Sequence, residues 1–220
     1  MGRPLLLGHR GVRGRRYGVR ENTIAAFDLA LQHGCDGIEF DVRLTADGAA
    51  VVCHNARSGG VPIAQASTGR LRTLPLLEDV LARYAGRAFL DIELKVPGLE
   101  SCLLCALAKG PPQRGYVVSS FLPAVLVDLR ARSDIPLGLT CEAPQELQPW
   151  PELPIEYVIA KQSLVTPSLI VGVHRANKKL LTWTVNQREA MLRLSAWGAD
   201  GLISDRADLL VRTLGKLEQA

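Results

Sequence analysis

Apolar and polar positions along this chain follow two alternating rhythms. Short apolar runs recur at 4–9, 37–43, 49–53, 87–95, 116–120, 136–141, 157–161, 179–185 and 201–204. Between most of them lie longer stretches whose apolar residues return every three to four positions. These fall at 22–33, 75–85, 99–109, 122–132, 167–177, 187–197 and 206–218, with a single extra turn near 144–149. The first rhythm predicts strands covered on both faces, and the second predicts amphipathic helices. Asn22 and Asp205 (or Ser204) are candidate N-caps, and Gly34, Gly86, Gly110 and Gly198 candidate stops. Alternation of strand and helix without internal repeats is the pattern of an α/β fold, and the count is close to a (β/α)8 TIM barrel.

Nine strands are one too many for that barrel. The excess has a physical reason. Residues 44–48, Leu-Thr-Ala-Asp-Gly, are too few to form a crossover helix between parallel neighbours. One flanking strand must therefore lie outside the regular barrel. We assign 49–53 to a short insertion running over 44–74, between strand 2 and helix 2. The other eight strands then alternate with helices in order. A length of 220 residues, 47% hydrophobic and 22% charged, fits a single barrel domain over 1–220.

Ionisable residues gather at the ends of the predicted strands. His9-Arg10 ends the first, Glu39 and Asp41 lie on the second, and His54 ends the third run. Residues two apart on a strand share a face, so Glu39 and Asp41 project together. Two carboxylates ~4 Å apart repel by roughly 4 kcal/mol at an effective dielectric of 20. Such a pair calls for a cation between them or a proton on one. A solvated strand face fits poorly, because Ile38, Phe40 and Val42 are apolar. In FLDIELK, residues 89–95, Asp91, Glu93 and Lys95 alternate with apolar residues in the same way. Arg10 and Lys95 against Glu39, Asp41 and Glu93 leave one net negative charge. A divalent cation and a phosphodiester together restore neutrality. Oxygen donors favour Mg²⁺ or Ca²⁺ over zinc. Asp91 is read as an interior carboxylate satisfied by hydrogen bonds. His33 and His174 lie on helical patterns and are read as structural.

Composition narrows the field further. A net charge of +4 and 5% aromatic residues give little support to nucleic-acid binding. No apolar run is long enough to span a bilayer, and MGRPLLLGHRG lacks a signal-like apolar core. Five scattered cysteines, at 35, 53, 102, 105 and 141, point to reduced thiols and a cytoplasmic location. Cys102 and Cys105, within one helical pattern, are read as buried small hydrophobes. The segment GVRGRRYGVR, 11–20, follows strand one and carries Arg13, Arg15, Arg16 and Arg20. Two readings stand equally: a solvated loop, or arginines that draw anionic substrates to the site.

An ordered set of motifs then stands out: HRG at 9–11, ENT at 21–23, DGIEFDVRLTADG at 36–48, VVCHN at 51–55, LPLLEDVL at 74–81, IELK at 92–95, SSF at 119–121, WTVN at 183–186 and GLISD at 201–205. In this order they resemble the glycerophosphodiester phosphodiesterase family, whose barrel is similar to that of phosphoinositide-specific phospholipase C. The resemblance implies hydrolysis of a small-molecule glycerophosphodiester to glycerol 3-phosphate and an alcohol, within glycerol and lipid metabolism. It implies one divalent cation held by Glu39, Asp41 and Glu93, with acid–base roles for His9 and His54. Arg10 and Lys95 are implied phosphate contacts, Trp183 a residue of the substrate cleft, and Glu21 and Asn22 supports. The nucleophile is either water or the neighbouring glycerol hydroxyl, the latter giving a cyclic intermediate. Asn55 stands where the family usually has aspartate, and Arg20 where proline is common. Two alternatives are a lysophospholipase D-like phosphodiesterase and a non-catalytic phosphoester-binding barrel. GLISDR is read as a strand-to-helix cap in preference to catalysis, and Asn186 as either a cap or a site residue.

Overall fold

The structure is a computed structural model that describes residues 2–215. Its strands are β1 (Leu5–His9), β2 (Gly37–Leu44), β3 (Ala50–Val52), β4 (Arg57–Ser58), β5 (Val61–Pro62), β6 (Phe89–Leu94), β7 (Tyr116–Ser120), β8 (Leu137–Cys141), β9 (Tyr157–Lys161), β10 (Lys179–Trp183) and β11 (Gly201–Ser204). Its helices are α1 (Ile24–Gln32), α2 (Leu77–Tyr84), α3 (Glu100–Lys109), α4 (Pro123–Arg132), α5 (Pro144–Leu147), α6 (Pro167–Arg175), α7 (Arg188–Trp197) and α8 (Ala207–Leu214). Strands β1, β2 and β6 to β11 pair in parallel in that order, and β11 returns to β1. This closed ring with helices between its strands is the (β/α)8 TIM barrel.

β3 is the supernumerary strand. It runs antiparallel to β2, with Val42 opposite Val52. The hairpin β4–β5 and two short 3₁₀ turns follow it, over Val51, Cys53, Ile63, Ala66, Leu71 and Leu74. The Asp47 carboxylate accepts from the Thr68 amide and hydroxyl and ties this segment to the end of β2. β3 carries the chain back beside β2, so His54 stands next to the barrel mouth.

Period-two alternation sorts every barrel strand. One face packs against the helices, through residues such as Leu6, Ile38, Phe40, Leu90, Ile92 and Leu139. The other fills the lumen with Leu7, Phe89, Val117, Tyr157, Ile159, Leu181 and Ile203. Toward the C-terminal ends of β1, β2, β6, β7 and β8 the lumen series changes to His9, Glu39, Asp41, Asp91, Glu93, Ser119 and Thr140, all buried. The polar site therefore lies on top of an apolar plug, at the end of the barrel where βα loops leave.

Several local expectations change. Thr23, not Asn22, caps α1, and its hydroxyl accepts from the Ala26 amide. Asn22 is drawn into the site instead. Asp205 does not cap α8; Ser204 Oγ accepts from the Arg206 amide, while Asp205 turns to His9. Cys105 is exposed on α3, whereas Cys102 is half-buried and packs against the core, so the buried reading fails for Cys105 alone. Residues 216–218 of the expected last helix lie outside the described residues.

Candidate active site

Register builds the acidic centre. Glu39 and Asp41 share the lumen face of β2, and parallel pairing sets Asp41 opposite Glu93 on β6. One carboxylate oxygen from each lies within 4.8 Å of the other two, and this is the set among the described residues able to hold a metal ion. Their exposures are 4% for Glu39, 1% for Asp41 and 8% for Glu93. Burial, then the charges of Asp41 and Glu93, pushes Glu39 well above the carboxylate range. Burial and Asp41 push Glu93 up to about 7. Asp41 differs: burial works against its charge, but Arg10, Lys95 and the Asn22 amide hold it below its ordinary value.

Two cations bracket this centre. Arg10 donates its backbone N–H to Glu39 Oε2 at 2.9 Å, and its Nε lies 3.1 Å from Asp41 Oδ2. Lys95 Nζ lies 3.4 Å from Asp41 Oδ1 and pairs with Glu93 Oε1. The turn after β1 is what aims Arg10. Gly11 sits at φ +81, where a Cβ would come within 2.5 Å of the Ala26 backbone. Arg10 and Asn22 are themselves left-handed, at φ 53 and 55. For residues with a Cβ this costs of order 1–3 kcal/mol each. The surrounding bonds hold them there: the Asn22 amide donates to Arg10 O at 3.0 Å, and Asn22 Nδ2 donates to Asp41 Oδ2 at 2.8 Å. Glu21 accepts from Arg10 at 2.8 Å. Glu21 and Asn22 thus act by fixing Arg10 and Asp41.

Both histidines line the cleft. His9 Nδ1 lies 2.6 Å from Asp205 Oδ1. The bond to His9 and another from Asn186 outweigh burial and keep the Asp205 carboxyl below its usual range, so it accepts and His9 Nδ1 donates. His9 Nε2 is then the ring atom turned to the acidic centre, 3.8 Å from Glu39 Oε2. Asn186 holds Asp205 in turn: its Nδ2 donates at 2.7 Å and its Oδ1 accepts from the Asp205 amide and Ser204 Oγ at 3.0 Å. Asn186 is therefore joined to His9 through Asp205, a link that the cap reading missed. The signal was present in the sequence. Asp205 follows Ile203 by two on a strand end, the same spacing that sets Asp41 after Glu39. His54 is half-buried, its Nδ1 donating to Asn55 Oδ1 at 3.0 Å. Burial lowers its pKa against that bond.

A cavity of about 500 Å³ opens over these groups. Trp183 forms one wall, pinned by its indole N–H to Ile159 O at 3.1 Å and set edge-on to Phe121 at 5.7 Å. Asp91 lies at the floor, where Ser119 Oγ donates to it at 2.6 Å and burial raises its pKa to about 8. Of the first-loop arginines only Arg13 lines this cavity, and its Nε is held by Glu21 at 2.6 Å. Arg16 is turned away onto Asp208 and Tyr17. His33 ends α1 against the Tyr17 ring, and His174 bonds Asp200; neither lines the cleft.

Buried carboxylates, two cations and two histidines thus gather at the mouth of a (β/α)8 barrel, the end where such barrels carry their chemistry. The glycerophosphoryl diester phosphodiesterase family model matches residues 9–74 and 102–209, and the chain belongs to that family. The matched stretches flank β6, so Glu93 and Lys95 are tied to the site by strand register. A glycerophosphodiester phosphodiesterase of Caldanaerobacter subterraneus subsp. tengcongensis is 29% identical over 97% of this chain and 99% of its own length. A phosphodiesterase of Oleispira antarctica, solved in complex with its product sn-glycerol-3-phosphate, is 26% identical with a TM-score of 0.84, covering 96% of each chain. A glycerophosphodiester phosphodiesterase of Thermotoga maritima, 22% identical over 96% of this chain and 99% of its own, shares the fold with a TM-score of 0.83.

Proposed function

We propose that this protein hydrolyses glycerophosphodiesters to glycerol 3-phosphate and an alcohol, using one divalent cation, Mg²⁺ or Ca²⁺, held by Glu39, Asp41 and Glu93. The convergence of these three buried carboxylates beside Arg10 and Lys95 carries the reading. The residues fit such an ion. All donors are hard oxygens, and burial leaves Glu39 and Glu93 favouring protons where no cation compensates them. When bound, the cation supplies Lewis-acid polarisation of a phosphate oxygen.

The chain's own groups supply the rest. Arg10 and Lys95 balance phosphate charge from two sides, Arg10 as a planar fork and Lys95 as a point charge. His9 exchanges a proton at Nε2, because Asp205 occupies its Nδ1 side. His54, with Nδ1 committed to Asn55, offers Nε2 in the same way. One removes the nucleophile's proton and the other protonates the leaving alkoxide. The nucleophile is water or the adjacent glycerol hydroxyl. Trp183 bounds the substrate opposite the charged side. The names of the relatives and the product held by the Oleispira antarctica protein support this substrate class. Five unpaired cysteines support a place in the cytoplasm. No helix among the described residues is long and apolar enough to cross a membrane.

The test is product analysis by phosphorus NMR on glycerophosphocholine, glycerophosphoethanolamine and a lysophospholipid, in Mg²⁺, Ca²⁺ or EDTA. Glycerol 3-phosphate should form from the first two with a cation and not in EDTA. Cleavage of the lysophospholipid alone would instead establish the lysophospholipase D-like alternative.

A further inference from the structure

The cleft has two unlike halves. β1, β2 and β6 carry the charges described above. The half formed by β7 to β10 presents Phe121, Thr140, Glu142, Ile159 and Trp183. Its floor holds a polar atom that the protein leaves unused. Thr140 is 2% exposed, and its Oγ1 has no hydrogen-bond partner. Buried hydroxyls in folded proteins almost always have one. Strand alternation turns Thr140 inward, since Leu139 and Cys141 pack against the helices. Ser119, one strand away, is already committed to Asp91. Thr182 Oγ1 also lacks a partner, but Thr182 alternates with the lumen residues Leu181 and Trp183 and does not line the cleft.

Glu142, exposed and one residue past the end of β8, is two positions beyond Thr140 and lines the same cleft at its rim. Lys161 Nζ holds its Oε1 at 2.9 Å and anchors the carboxylate at the rim. Residues two apart on a strand are about 6.6 Å apart, a span that a vicinal diol bridges with a hydrogen bond at each end. The threonine hydroxyl donates and accepts, and the carboxylate accepts.

We infer that Thr140 and Glu142 form a hydroxyl-binding subsite for the glycerol moiety, with Thr140 determining specificity for it. The inference rests on the phosphodiesterase reading and deepens it by assigning the two ends of the substrate. The glycerol enters the closed floor between β7 and β9, and the variable alcohol leaves by the open mouth. An acyl ester on the glycerol removes a hydroxyl and drives a chain into that floor, so lysophospholipids are rejected. A site that hydrogen-bonds a substrate hydroxyl discriminates strongly against analogues lacking it.

The test compares kcat/KM on glycerophosphoethanolamine with kcat/KM on bis(p-nitrophenyl) phosphate, which has no glycerol. In Thr140→Val the ratio of the two should fall about tenfold or more, and Thr140→Ser should restore most of it. Without any substitution, the wild-type protein should cleave the analogue whose glycerol is replaced by propyl at least about tenfold less efficiently than glycerophosphoethanolamine. A ratio unchanged within twofold in Thr140→Val, or a wild type indifferent to the propyl replacement, overturns the inference and leaves the phosphodiesterase reading standing. A wild type that cleaves bis(p-nitrophenyl) phosphate but no glycerophosphodiester overturns that reading and this inference with it.

Discussion

Replacing Asp205 with asparagine isolates a single function of the site. The carboxylate serves two donors at once: His9 Nδ1 on Oδ1 at 2.6 Å and Asn186 Nδ2 on Oδ2 at 2.7 Å. An amide offers one oxygen in place of two. In Asp205→Asn, either His9 faces an NH₂ and must shift its hydrogen to Nε2, or Asn186 loses its partner and the side chain drifts. Both outcomes spoil the ring atom that faces Glu39. A hydrogen bond to a charged group contributes about 1.5–3 kcal/mol. At about 1.36 kcal/mol per decade, kcat should fall roughly 10- to 150-fold. KM should change little, because Asp205 does not face the phosphate cations. Steady-state kinetics on glycerophosphoethanolamine, with a thermal melt to show that the fold survives, read this directly. A kcat within twofold of wild type in a folded variant would refute the orientation argument.

Cation binding should release protons below neutral pH. Glu93, pushed up to about 7, and Glu39, also raised by burial, hold protons that a cation displaces, so affinity rises with pH through this range; calorimetry at pH 6.5 in buffers of different ionisation enthalpy measures it, and zero release contradicts it. Asp91, raised to about 8, binds its proton more tightly folded than unfolded, so its contribution is present at low pH and lost as pH rises from about 4 toward 8. Asp91→Asn keeps an acceptor for Ser119 and should flatten the fall of Tm between pH 5 and 8 in EDTA; an unchanged slope counts against it. Of the loop arginines only Arg13 borders the cleft, so Arg13→Gln should flatten the salt dependence of kcat/KM as much as changing Arg13, Arg15 and Arg16 together. A triple variant with a much larger effect would return steering to the whole loop.

The barrel and the acidic centre were legible because both follow from local rules. Alternation put Glu39, Asp41 and Glu93 on lumen faces, and the short 44–48 link excluded one strand. What escaped depended on partners far away in the chain. Asp205 looks like a cap until barrel closure brings β11 beside β1 and sets it 2.6 Å from His9. Asn22 sits where a cap is expected, yet Asp41 binds it more usefully and Thr23 takes over. Arg16 has a loop sequence suited to steering, but Asp208 on α8 claims it. Cys105 reads as apolar by residue type, while its position on α3 faces solvent. Thr140 carried no motif; only the absence of a partner in a closed lumen distinguishes it.

The central claim is that three carboxylates hold one divalent cation required for glycerophosphodiester cleavage. Protein stripped with EDTA should be titrated with Mg²⁺ or Ca²⁺ while glycerol 3-phosphate release from glycerophosphoethanolamine is followed, beside a folded Glu93→Gln variant. Activity should be lost on stripping, return as one cation binds per chain, and stay absent in Glu93→Gln. Full turnover in excess EDTA, or wild-type activity in Glu93→Gln, would contradict the account.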